Sequence, residues 1–377
     1  MRICLYTDST LPKIGEQEIA VDALAREFAL RGHQPTVLAP WPRGFSFGGS
    51  VTPYPVMWHP RFLSIDMFVS WYQRFLIKHH ARYPFDVLHC HGLYPAAFLA
   101  AQAKDRLGVP LVVTCRAIKA PAGSGTPQVV EALQAADSVI AVSGSVRHMV
   151  TGLLPAVAER LIEMGDGIHL ADFAPMSDES AVCEAMSLKP GAFALYLGRL
   201  KRRNGVDCLL RAFASLPATI TAQLVIAGEG GERAGLEILA DQLDIRDRVR
   251  FLGAVSTDTA RRLLRSARCG IVPSRSDDAS TIGVLEGFAS GLPMIATDLA
   301  DLRRLVQHEV NGLLVAPDAP HELAAAIARL FSDDALATRL RNAASRAVKL
   351  HDWGVIAERH LSLYASLLKS RRHLIAA

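Results

Sequence analysis

Short apolar runs alternate with amphipathic segments along almost the whole chain. Arg2 to Thr7 reads as a strand, Ala20 to Leu30 as a helix with one apolar face, and Pro35 to Ala39 as the next strand. Val87 to His91, a helix over Pro95 to Leu107, Pro110 to Thr114 and Ser138 to Val142 continue the pattern. The stretch from Phe173 to Pro190 breaks it with polar residues and prolines, and is predicted to be a linker. The alternation then restarts with strands at Phe193 to Leu197, Ala222 to Ala227, Arg250 to Leu252, Gly270 to Pro273, Pro293 to Thr297 and Gly312 to Val315. Helical patterns lie between them, and more follow from His321 to Leu330, from Asp334 to Leu350 and from near Trp353 onward. This is the βαβ signature of parallel, helix-covered sheets, here in two successive α/β domains.

A length of 377 residues fits two domains of about 100 to 200 residues each. With 50% hydrophobic and 21% charged residues the chain belongs with globular proteins that bury a sizeable core, and not with disordered or fibrous ones. The formal net charge of +4 is spread along the chain, which argues against a nucleic-acid binder with a basic stripe. The first residues lack the apolar core and cleavage site of a signal peptide, so a cytoplasmic location is expected. No run reaches the roughly 18 apolar residues of a membrane-spanning helix. Six cysteines lie far apart without any C-x-x-C pair, as reduced and mostly buried thiols do.

The densest chemical signal is the block Pro273 to Pro293, where a strand ends, a polar loop carries Asp278, and a helix begins near Thr281 with Glu286 inside it. The two carboxylates would be up to about 12 Å apart along a helix axis, too far to grip one atom together. They can hold two parts of an extended ligand whose anionic centre meets the helix N-terminus. An exposed cap aspartate and a solvated glutamate are the plain alternative.

The block resembles the E-x7-E signature of the family 4 retaining glycosyltransferases, with Asp278 in place of the first glutamate. Other landmarks of that family follow in order over nearly the whole chain. Pro12-Lys-Ile-Gly15-Glu-Gln-Glu18 is similar to its Gly-Gly loop, and Asp86-Val-Leu-His-Cys-His91 to its D-x-x-H-x-H strand. Ala136 to Ser143 and Gly165 to His169 have counterparts, as do Leu197-Gly-Arg199-Leu, Val225 to Gly230, Val249 to Gly253 and Asn311 to Val315. The resemblance implies the GT-B fold, with two Rossmann-like domains facing across a cleft and a final helix returning to the first. The expected limits are 1–175 for the acceptor domain, 190–350 for the nucleotide-sugar domain and 351–377 for the returning helix.

Carried over residue by residue, the resemblance makes Arg199 face the donor diphosphate, Asp278 the transferred sugar and Glu286 the ribose hydroxyls. His91 and Arg116 join Arg199 and Asp278 as expected catalytic residues. Gly15, Arg203, Gly228, Thr281, Ile282 and Gly283 complete the expected donor-binding set. From its place on a strand, His91 could equally be a satisfied half-buried histidine. No cofactor or metal is expected besides the nucleotide-sugar substrate, with a UDP-sugar favoured, and no D-x-D pair stands ready for a cation.

Three further positions depart from the family pattern. Asn204 occupies the place of a lysine five residues after the arginine, Glu16 that of the second phosphate-loop glycine, and Lys119 that of an acid. Glu16 and Lys119 could form a compensating pair, or be two unrelated exposed charges. The expected activity is hexosyl transfer to a glycan or lipid-linked acceptor, as in cell-envelope or exopolysaccharide synthesis. The three departures motivate the alternative of a non-catalytic nucleotide-sugar-binding or scaffold subunit. Aromatic and basic residues mixed over Arg61 to Tyr83 suit either peripheral contact with the inner membrane or a packed amphipathic helix.

Overall fold

The computed structural model describes all residues except 11–14, 42–51, 61–64, 117–125, 175–179, 277–280 and 377. Asp278 and Lys119, both singled out by the sequence, lie outside the described residues, and with Lys119 goes its pairing with Glu16. Two compact units divide the chain, Met1–Asp166 with Trp353–Ala377, and Gly167–Asp352.

The strands of the first unit are β1 (Arg2–Thr7), β2 (Gln34–Pro40), β3 (Val56–His59), β4 (Val87–His91), β5 (Leu111–Cys115), β6 (Ser138–Ala141) and β7 (Leu161–Glu163). They form a parallel sheet in the order β3-β2-β1-β4-β5-β6-β7. Every residue of β4, β5 and β6 is buried, because helices cover both faces of a parallel sheet. Neighbouring residues therefore serve opposite cores. Val113 and Val139 pack on one side with Leu88 and Leu99, while Val112 and Ile140 pack on the other with Leu5, Val87 and Phe28. The edge strands β3 and β7 do not appear in the sequence reading. One has a single buried residue and the other is three residues long, so neither presents an apolar run.

The helix Trp353–Ala376 completes the second of these cores. Trp353, Ile356, Ala357, His360 and Tyr364 recur at helical spacing and are all buried. In the helix Ile65–Arg82, Tyr72 and Leu76 turn inward while Met67 and Trp71 stay exposed.

The second unit holds β8 (Phe193–Leu197), β9 (Gln223–Ala227), β10 (Val249–Gly253), β11 (Cys269–Val272), β12 (Met294–Thr297) and β13 (Gly312–Val315). Their order is β10-β9-β8-β11-β12-β13, again parallel. The division between the units falls at Asp166 and Gly167. Part of the stretch read as a linker belongs to the second core instead, since Phe173, Cys183 and Leu188 are buried there. All six cysteines are buried and unpaired. Among the described residues no helix is long and apolar enough to cross a membrane.

Candidate functional site

In the second sheet the strand order reverses between β8 and β11, and ligands of open α/β sheets bind at the carboxyl ends of the strands beside such a reversal. The loops leaving β8 and β11 carry Arg199, Arg203 and Thr281, and the helix Ile282–Ala289 carries Glu286.

Glycines let these loops interlock. A Cβ on Gly228 would sit 1.8 Å from the Gly198 carbonyl oxygen, and one on Gly230 would sit 2.1 Å from that of Leu200. A Cβ on Gly205 would meet the Pro273 carbonyl oxygen at 1.8 Å. Backbone hydrogen bonds run through the same contacts. Gly198 N–H donates to Ala227, Gly228 N–H to Gly253, and Leu200 N–H to Glu229, at 3.0, 2.7 and 2.9 Å. No side chain could be inserted without parting the strand ends, so the loops form one preorganised surface.

Arg199 is exposed on that surface, and among the described residues no acid pairs with its guanidinium. Its carbonyl, in contrast, accepts from the Tyr196 hydroxyl at 2.8 Å and from Asn204 Nδ2 at 2.7 Å. Arg275, which the sequence did not single out, anchors the other flank of the loop. Its N–H donates to the Arg203 carbonyl and its Nη1 to the Arg202 carbonyl, at 2.8 and 2.9 Å. The same guanidinium grips Asp207 through both carboxylate oxygens at 2.6 and 2.8 Å and also reaches Asp318. Burial alone would raise the Asp207 carboxyl, but the hydrogen bonds and charge of Arg275 hold it below the usual range. Arg203 is exposed beside Arg199.

Glu286 is half-buried in its helix. Burial pushes its carboxyl above the usual range, and the nearby charge of Arg261 only partly opposes the rise. Among the described residues no hydrogen bond reaches that carboxylate, so its acceptor capacity is open to hydroxyl groups. Ile282 and Gly283 form the first helical turn, with Thr281 at the N-cap and no side-chain cap.

In the first unit the corresponding reversal lies between β1 and β4, whose ends carry Thr7 and His91. His91 is fully buried, and neither ring nitrogen has a hydrogen-bond partner among the described residues. Its ring lies 4.2 Å from that of His89, centroid to centroid. His89 is satisfied by the Tyr364 hydroxyl at 2.6 Å and Thr114 Oγ1 at 2.7 Å. Burial, then the charges of His360 and Arg116, drives both imidazoles well below the ordinary histidine range. Arg116 is itself paired with Asp166. Gly15 is the extended N-cap of the helix Glu16–Leu30, where a Cβ would lie 2.5 Å from Glu18 Oε2. Glu18, hydrogen-bonded by Ser9, is the buried acid of the first helical turn, and Glu16 is exposed at the first helical position.

Known proteins share this fold. Residues 17–170 match the family described as Glycosyltransferase Family 4, and residues 187–347 match Glycosyl transferases group 1. An uncharacterized glycosyltransferase of Methanocaldococcus jannaschii is 28% identical over 384 residues, covering 97% of this chain and 98% of its own. The crystal structure of a glycosyltransferase from Rickettsia africae superposes with a TM-score of 0.83 at 17% identity, covering 98% of this chain and 99% of that one. Anabaena HepE in complex with UDP superposes at 0.79 with 20% identity, covering 97% and 100%. Two parallel α/β sheets, glycine-interlocked loops at a strand-order reversal and these two consecutive matches lead to one conclusion: the chain belongs to the group 1 and family 4 glycosyltransferases, of GT-B fold.

Proposed function

We propose that the protein is a retaining hexosyltransferase that moves a sugar from a nucleotide-diphosphate donor, a UDP-sugar in the favoured case, to a hydroxyl of a glycan or lipid-linked acceptor. The observation that carries this reading is the interlocked loop surface on which Arg199, without an acid partner among the described residues, leaves the strand next to the one that leads to Glu286. A breaking sugar–phosphate bond leaves negative charge on the diphosphate, and a cation held in place beforehand lowers that barrier without reorganising. Glu286, half-buried and without a hydrogen-bond partner among the described residues, suits the vicinal hydroxyls of the donor ribose. Asp278 takes the hydroxyls of the transferred sugar, a role carried by its place in the sequence signature. His91 and Arg116 serve the acceptor half. The UDP bound to Anabaena HepE supports the choice of nucleotide. Exposed Met67 and Trp71, with Arg74 and Lys78 on the same helix, support a lipid-linked acceptor at a membrane surface.

Thermal unfolding with excess UDP, GDP and ADP tests the donor site. A nucleotide at about 100 times its Kd adds roughly 2.7 kcal/mol of stability. The stabilisation is expected with one base and is lost in Arg199→Ala, whose sugar transfer falls on the order of 10²- to 10³-fold. Transfer at the wild-type rate by Arg199→Ala would remove the assigned role. Nucleotide binding with neither transfer nor donor hydrolysis would favour a non-catalytic subunit.

A further inference from the structure

The family that the sequence resembles usually carries a lysine at position 204, whereas the Asn204 side chain is directed at its own loop. Asn204 Nδ2 lies 2.7 Å from the Arg199 carbonyl oxygen and 3.3 Å from the Tyr196 hydroxyl. A carbonyl oxygen can only accept, so the group facing it is the amide N–H of Asn204. The Tyr196 hydroxyl donates to the same oxygen at 2.8 Å, and Lys201 N–H reaches it at 3.2 Å. Three donors thus converge on one backbone acceptor. Tyr196 is buried at the end of β8, and burial raises its phenol, so the hydroxyl keeps its proton and stays a donor. Gly198 makes room for it, because a Cβ there would lie 3.1 Å from the Tyr196 oxygen. The loop closes on itself through the Asn204 N–H, which donates to the Lys201 carbonyl at 2.9 Å.

We propose that Asn204 and Tyr196 are positioning residues, a side-chain clasp on the Arg199 carbonyl that sets the direction in which the Arg199 guanidinium is presented to a diphosphate. The inference rests on the reading of Arg199 given above. It also explains how a loop without the expected lysine works: Asn204 supplies rigidity where a second cation would supply charge. An exposed arginine has several rotatable bonds and little intrinsic direction, so pinning the backbone beneath it removes orientations that do not contact the ligand. Lysine at 204 would carry its amine two bonds further from the backbone than Nδ2, on a flexible stem that does not fix it on the carbonyl.

The test is calorimetric binding of whichever of UDP, GDP or ADP binds the wild-type protein, measured for Tyr196→Phe, Asn204→Ala and Asn204→Lys in both the wild-type and Arg199→Ala backgrounds. Tyr196→Phe keeps the ring and removes only the hydroxyl, so it preserves the core if Asn204→Ala loosens the fold. Tyr196→Phe and Asn204→Ala each weaken binding about five- to tenfold. The pair together weakens it by less than the product, since both donors serve one oxygen. Asn204→Lys weakens binding although it adds a positive charge. In the Arg199→Ala background none of the three has a further effect. Tighter binding by Asn204→Lys, or equal losses in both backgrounds, overturns the clasp while leaving Arg199 at the diphosphate. Unchanged binding by Arg199→Ala alone overturns the reading of Arg199 and the clasp with it.

Discussion

Alanine at position 228 is expected to abolish nucleotide binding and to lower the melting temperature of the Gly167–Asp352 unit by on the order of 10 °C. The new Cβ would stand 1.8 Å from the Gly198 carbonyl oxygen, and both groups are backbone, so neither can swing aside. Relief requires the ends of β8 and β9 to separate. That breaks the Gly228 to Gly253 and Gly198 to Ala227 hydrogen bonds that join three strand ends. The backbone adds a second cost, because Gly228 has φ +152°, a conformation that an L side chain rarely adopts. Overpacking of about 1–3 kcal/mol and backbone strain of about 1–3 kcal/mol act together, and each kcal/mol moves a unit of this size by roughly 2–4 °C. Gly231→Ala is the control, three residues away, where an added Cβ meets nothing within 4 Å. Scanning calorimetry with and without nucleotide reads both variants. A Gly228→Ala protein that melts and binds like the wild type would show that the loops are not interlocked as described.

The second large effect concerns acid. His89, His91 and His360 form a buried cluster between β4 and the helix Trp353–Ala376, with ring centroids of His89 and His360 5.6 Å apart. Burial pushes His360 down to about 4, although its hydrogen bond to the Ile356 carbonyl favours the proton. His89 and His91 lie well below 6.5 for the same first reason. Arg116 and Arg359 add positive charge against protonation of His360, while Asp166 favours it as the Ile356 carbonyl does. Because the folded pKa values are depressed, the unfolded chain binds more protons between 6.5 and about 4. The stability from keeping these rings neutral is therefore complete above pH 6.5 and is lost as the pH falls through that window. For His360 alone the loss is on the order of 3 kcal/mol by pH 4. Buried His79 and half-buried His33 and His80 of the same unit shift in the same direction. Depressed carboxylates such as Asp207 act only below about pH 4, so the two contributions separate on the pH axis.

Hydrogen exchange of the helix Trp353–Ala376 is expected to rise steeply between pH 6.5 and 4, after correction for intrinsic rates. His360→Gln flattens the rise. Protection that holds constant to pH 4 in the wild type would mean that the cluster charges without cost. The same burial keeps His91 neutral at pH 7, with lone pair and N–H both without a partner among the described residues.

Residue order was sufficient for most of the architecture because its signals are local. An interior parallel strand buries all or nearly all of its residues, so β1, β4, β5, β8 and β9 are legible as apolar runs, and the helices between them show one apolar stripe. Gly228 and the Leu197-Gly-Arg199 turn could be flagged for a similar reason: a strand end followed by glycine has few structural meanings. The edge strands β3 and β7 escaped because half-buried or three-residue segments leave no pattern. Phe173, Cys183 and Leu188 were hidden in a stretch whose average polarity looks like a linker, since burial depends on what lies across from a side chain and not on its sequence neighbours.

The chemical state of the candidate residues had to wait for the fold. Arg116 meets Asp166 from 50 positions away, and Tyr364 reaches His89 across 275. No spacing rule connects such residues, because the sheet order brings them together and the intervening chain can have any length. The Arg275–Asp207–Asp318 network and the turning of Asn204 onto the Arg199 carbonyl are likewise products of loops packed around interlocking glycines. Residue type and order thus determine which strands form and which loops carry charge. Whether a charge is paired, buried or left open to a ligand is decided by three-dimensional proximity, since desolvation and hydrogen bonding act over a few ångströms of space and not along the chain.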